Sequence, residues 1–84
     1  MMISYDDAHQ KALARVARIA SGSEFEIVIL EPHIRETDDA WYFPYDGRDF
    51  VENGNFSAAL AGNHPVRVSK ADGDVRLESP PEGA

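Results

Sequence analysis

The chain has eighty-four residues, fifteen of them acidic and eight basic, giving a formal net charge of −7 and no cysteine. That length makes one domain with a modest core, burying about 60% of the surface its unfolded form exposes. The missing cysteines exclude a disulfide framework and thiolate metal sites. The few scattered Lys and Arg argue against nucleic acid as a direct partner.

The opening Met1-Met2-Ile3-Ser4-Tyr5-Asp6-Asp7 lacks the basic and apolar regions of a signal peptide, so a cytoplasmic location is expected. No apolar run approaches the ~20 residues of a membrane span, and no membrane partner is expected. The acid excess speaks first to solubility. It also favours a basic protein partner, mainly through association rate and specificity.

Residues 4–20 predict an amphipathic helix. Ser4 is the N-cap, Asp7 three positions on approximates a capping box, and Asp6 and Asp7 suit the positive end of the helix dipole. Tyr5, Ala8, Ala12, Val16 and Ile19 form one apolar stripe, which Leu13 and Ala20 widen. Ser21-Gly22-Ser23 ends the helix, with Gly22 able to take a left-handed cap.

Phe25 to Leu30 predicts a strand, apolar on both faces and therefore central in the sheet. Pro32 marks an edge, a bulge or the strand's end. Glu36-Thr37-Asp38-Asp39 predicts a polar turn. Ala40 to Tyr45 predicts a second strand, antiparallel to the first, with Trp41, Phe43 and Tyr45 on one face and Tyr42 on the other.

Arg48 to Asn53 predicts a short helical turn, and Phe56 to Leu60 another. Gly62-Asn63 predicts a tight reversal. Pro65–Ser69 and Asp74–Glu78 predict two alternating strands with Val66, Val68, Val75 and Leu77 inward. Ala71-Asp72-Gly73 joins them, with Gly73 at the permissive position. A single domain over 1–78 and a disordered tail over 79–84 are expected. The fold class is α+β: one N-terminal helix packed on a curved antiparallel sheet of about four strands, with short helical turns between strands 2 and 3.

No catalytic residue, metal ligand or cofactor site is expected. His9, His33 and His64 lie on three different elements without ligand spacing. Asp6-Asp7 suits a helix end and Asp38-Asp39 a solvated turn, neither converging on a pocket as acid–base chemistry requires. The serines form no nucleophile elbow and the glycines no phosphate loop.

Trp41-Tyr42-Phe43-Pro44-Tyr45, then Phe50-Val51-Glu52-Asn53-Gly54-Asn55-Phe56, then Ala59-Leu60-Ala61-Gly62-Asn63-His64-Pro65-Val66-Arg67-Val68 together resemble the immunity protein 35 family, also called YrhB-like. Its members show a Trp-aromatic strand, a Tyr-Leu-Glu-Thr-Gly-Asp-Phe segment, and Ala-Leu-Ala-Gly-Asn-x-Pro before a strand and polar hairpin. The likeness runs from about Ser4 to Leu77. Pro44 departs from the usual aromatic or aliphatic residue, Val51 from Leu, and Gly54-Asn55 from Gly-Asp.

The resemblance implies a small cytoplasmic antidote from a bacterial polymorphic-toxin or contact-competition system. Such a protein neutralises a cognate toxin domain by binding it. The family motifs are architectural, so the contact must be sought in local charge and aromatic density. Glu31, Glu36, Asp38, Asp39, Tyr42, Tyr45, Asp46 and Asp49, around one hairpin and its exit, are the candidate partner-binding residues. The acids would steer and pair with a basic patch, and the two tyrosines would supply buried contact. The alternative is a chaperone-like or regulatory protein-binding module with no dedicated toxin. A small-molecule binder finds no convergent polar set in its support.

Overall fold

The computed structural model describes residues 2–22, 26–54 and 64–80. Helix α1 spans Tyr5–Ser21. Its start follows from Ser4, whose extended backbone leaves Oγ free to accept from the Asp7 N–H at 3.1 Å. Ala8, Ala12 and Val16 are buried, and Ile19 and Ala20 pack half-buried against the core. Leu13, expected to widen the stripe, is 40% exposed instead, because its side chain falls off the narrow face that meets the sheet.

Gly22 is likewise not left-handed, with φ −99°. The last turn is closed by the Gly22 N–H donating to the Ile19 carbonyl and by Ser21 Oγ donating to the Arg18 carbonyl at 2.7 Å. Those bonds satisfy the helix end without positive φ.

Among the described residues six short strands follow, in two antiparallel sheets. Strands β1 (Ile27–Ile29) and β4 (Tyr45–Gly47) form a pair, while β2 (Arg35–Glu36), β3 (Ala40–Phe43), β5 (Val66–Ser69) and β6 (Val75–Leu77) form a four-stranded sheet in the order β2-β3-β5-β6. The fold is thus α+β with open sheets. A one-turn 3-10 helix at Glu31–His33 starts around Pro32, and the short helix α2 spans Arg48–Asn53.

The expected second strand over 40–45 divides at Pro44. Proline lacks the N–H that would extend the ladder, so the β3–β5 register ends at Phe43↔Val66 and the chain turns away. Beyond the break, Tyr45 pairs with Ile29 and Gly47 with Ile27. The Leu30 N–H donates to the Pro44 carbonyl and the Arg48 N–H to the Glu26 carbonyl, both at 2.8 Å, which extends this pair at each end. The strand expected at the centre of the sheet is therefore half of a separate two-stranded ribbon. The expected elements at Phe56–Leu60 and Gly62-Asn63 lie outside the described residues.

The core sits between α1 and the inner faces of both sheets. Phe43, Val66 and Val68 are fully buried in it, with Ile27, Ile29, Trp41 and Tyr45 around them. Tyr5 stands over this aromatic group, edge-on to Trp41 at 5.9 Å and tilted to Phe43 at 6.0 Å. Val75 is half-buried, but Leu77, expected inward, is 39% exposed on β6, the last strand of the sheet among the described residues.

The β5–β6 hairpin closes through Gly73, whose φ is +74°. A Cβ there would lie 3.1 Å from Lys11 Cε and 3.5 Å from Ile3 Cγ2. Gly73→Ala is expected to cost about 1–2 kcal/mol from the left-handed backbone alone. Phe43→Ala should cost about 3–5 kcal/mol, whereas Leu13→Ala should change stability by less than about 0.5 kcal/mol. Urea unfolding of the three variants against the parent chain measures all three values.

Candidate functional site

The turn joining β2 to β3 is built by a threonine. The Thr37 N–H donates to the Ala40 carbonyl at 2.9 Å, and Thr37 Oγ1 accepts from the N–H groups of Asp39 (3.3 Å) and Ala40 (3.2 Å). The hydroxyl takes on the backbone bonding that an aspartate often supplies in such turns. The carboxylates of Asp38 and Asp39 are thereby released. Both residues are exposed, and among the described residues neither side chain makes a hydrogen bond or ion pair.

The base of this turn is anchored by Lys70. Its N–H donates to the Asp39 carbonyl at 2.8 Å, and its carbonyl accepts from the Ile3 N–H at 2.9 Å. Its ammonium pairs with Glu36 and lies 5.0 Å from the centre of the Trp41 ring. The Lys70 side chain is only 12% exposed, so both contacts act on a partly desolvated cation. Glu36 is thus held beside the two free aspartates.

The other candidates are dispersed. Glu31, in the 3-10 turn, faces His9 of α1 at 2.9 Å. Asp46 caps its own strand by accepting from the Gly47 N–H at 2.8 Å, and Asp49 accepts from Asn53 within α2 at 2.7 Å. Asp46 and Asp49 lie past Pro44, beyond the end of β3 opposite to Asp38 and Asp39. Around α2, Arg48 already bridges Glu26 and Glu52. The structure therefore brings Glu36, Asp38 and Asp39 together, and sets Glu31, Asp46 and Asp49 apart from them.

The two tyrosines are buried by the chain itself. Tyr45, 8% exposed, belongs to the core, and Tyr42, 3% exposed, lies on the opposite side of β3. The Tyr45 ring is covered by the core, while Tyr42 keeps only a small part of its surface, at a concavity of the outer sheet face. The Tyr42 hydroxyl accepts from Arg67 Nε at 3.3 Å.

That bond belongs to a feature the sequence analysis missed. Residues directly opposite in an antiparallel ladder share a face. The register pairs Arg35 with Tyr42, Tyr42 with Arg67, and Arg67 with Arg76. The sheet face turned away from α1 thus carries a row of three arginines and one tyrosine. Alternation with Val66, Val68 and Val75 placed Arg67 and Arg76 outward in the sequence, but nothing local placed Arg35 beside them.

Among the described residues no group of three His, Asp or Glu side chains could hold a metal ion, and no helix is long and apolar enough to cross a membrane. His64 bonds to Ser79 at 2.8 Å, far in sequence from His9 and His33.

Burial raises the Tyr45 phenol above its usual 10.0, with Arg15 opposing in part. Tyr5 is raised by burial first and then by the charges of Glu31 and Asp6. Above pH 10 the unfolded phenols lose protons before the folded ones, so the unfolded state binds fewer protons and stability falls as pH rises. Below that value both states keep these protons and the groups contribute no slope. Urea midpoints measured from about pH 9 to about pH 11.5 should therefore decline, and the decline should be shallower in Tyr45→Phe.

The family profile described as immunity protein 35 matches residues 6–82. The chain is 35% identical over 74 residues to a protein of Escherichia coli (strain K12) described as uncharacterized protein YrhB, covering 88% of this chain and 72% of that protein. No solved structure matches it. The profile spans nearly the whole helix-and-sheet unit, from the first turn of α1 past the end of β6, and the chain belongs to the immunity protein 35 family.

Proposed function

We propose that this protein is an immunity protein that binds a cognate bacterial toxin domain and neutralises it by stoichiometric occlusion, performing no reaction of its own. Family membership supports the class. The observation that carries the surface is the pair of exposed, unpaired carboxylates at Asp38 and Asp39, on a turn whose shape is maintained by Thr37 and Lys70. Carboxylates that pair with nothing among the described residues give up no such partner when they meet a cation on another protein. Their geometry is set in advance, which lowers the ordering cost of binding. The net charge of −7 steers the encounter with a basic toxin surface, and Glu36 extends the acidic edge.

Asp46 and Asp49 would engage only a partner broad enough to pass the end of β3. Tyr42 and Tyr45, being buried, serve this reading as supports for the strand that carries the turn.

The test is co-purification with a toxin domain encoded next to this gene. A one-to-one complex and protection from that toxin are expected. Asp38→Lys combined with Asp39→Lys should weaken binding at least about tenfold, equivalent to about 1.4 kcal/mol. Unchanged affinity and protection in the reversed pair would remove the turn from the interface. A neighbouring toxin that forms no complex would remove the immunity reading itself.

A further inference from the structure

We propose that the outer face of the four-stranded sheet is a separate docking surface for an acidic segment of a partner protein, one that presents a carboxylate beside an apolar side chain. This goes beyond the acidic turn and does not depend on it. Three observations converge there.

The first is shape. A concavity of about 240 Å³ opens between His33, Arg35, Tyr42, Pro44, Pro65 and Pro80. Small-molecule and cofactor pockets run to about 300–1,000 Å³, so this one suits one or two side chains of a protein segment better than a cofactor. Its lining joins three prolines and the small exposed part of Tyr42, all with little side-chain freedom to lose on contact, to the polar side chains of His33 and Arg35.

The second is construction. Tyr42 is held by the hydroxyl bond from Arg67, and Arg67 by Glu78 at 3.2 Å. The Glu78 N–H donates to the Pro65 carbonyl at 3.0 Å and Ser79 meets His64, which fixes the stretch that brings Pro80 to the groove. The floor and one wall are therefore tied together before anything binds.

The third is charge. Of the arginines in the outer row, Arg67 is paired with Glu78 and Arg76 with Asp74. Arg35 is exposed, lies at the groove, and pairs with no acid among the described residues. An uncompensated guanidinium in a chain of net charge −7 is a local inversion of sign. Its planar fork matches a carboxylate in a bidentate pair. Nucleic acid is the poorer occupant, since phosphate chains need several free cations and the whole chain repels them. The combination selects an Asp or Glu that reaches Arg35 while its apolar neighbour enters the Tyr42 and proline groove.

The test is an amide chemical-shift titration of the full chain with a capped pentapeptide in which two aspartates flank a leucine, and with its lysine counterpart. The aspartate peptide is expected to give saturable shifts around Arg35, Tyr42 and Arg67, with a Kd of about 1–5 mM that rises with salt. Arg35→Gln, a change at an exposed position, should weaken it at least about fivefold. Asp38→Asn combined with Asp39→Asn should leave it unchanged.

The proposal is overturned if no saturation is reached by about 10 mM peptide. It is overturned equally if the lysine peptide binds as well, if Arg35→Gln binds as the parent does, or if the shifts map to α1 or the acidic turn. Concentration-dependent shifts at the same residues without peptide, lost in Arg35→Gln, would also overturn it by making a second copy of this chain the occupant.

Discussion

The close seating of α1 on the inner sheet face is the contact on which the rest of the molecule depends. Ala8 and Ala12 are fully buried and Val16 nearly so, opposite Phe43, Val66 and Val68. Small helix side chains leave room for large sheet side chains, so the two layers can approach closely. The helix is also pinned at its entry, where Ile3 bonds to Lys70 at the end of β5. Among the described residues α1 covers the inner sheet face, and the opposite face carries the arginine row.

Pro44 is the second constraint. A single missing N–H ends one ladder and starts another, giving two sheets where an uninterrupted strand would give one. It separates the acids at the β2–β3 turn from those around α2. It also leaves the proline itself at the mouth of the outer groove. One residue thus decides both how the acidic surface is divided and what the groove is made of.

The charges do little for stability. Three of the ion pairs among the described residues are exposed on both sides, where solvent screening leaves them little effect on stability. Lys70 differs, being mostly covered and shared between Glu36 and the Trp41 ring. The more consequential feature is which charges stay unpaired. Asp38 and Asp39 project from one edge and Arg35 from the outer face, so surfaces of opposite sign lie on one small scaffold. Unpaired charges on a preformed frame favour recognition by charge complementarity, with the selectivity that like-charge repulsion adds.

Local chemistry alone determined much of this protein. Ser4 and the stripe of Ala8, Ala12 and Val16 specify α1, the alternation of Trp41 and Phe43 specifies a core strand, and Gly73 specifies a turn of positive φ. These features act over a few residues, so the sequence displays them directly. Thr37 to Asp39 were legible as a polar turn for the same reason, although Glu36, expected within it, pairs with Trp41 as the end of β2. Strand partners were not, because pairing is chosen among distant segments competing for the same edge. Residue 29 meets residue 45 only once Pro44 has released the chain. The burial of Tyr42 and Tyr45, the scattering of the acids and the alignment of Arg35 with Arg67 and Arg76 all follow from that register. The sequence by itself determined the N-terminal helix, the core strand at Trp41 and Phe43, the short helix at Arg48–Asn53 and the hairpin of the last two strands. Only the tertiary structure decided which side chains share a face, since that depends on cross-strand register and not on spacing along the chain.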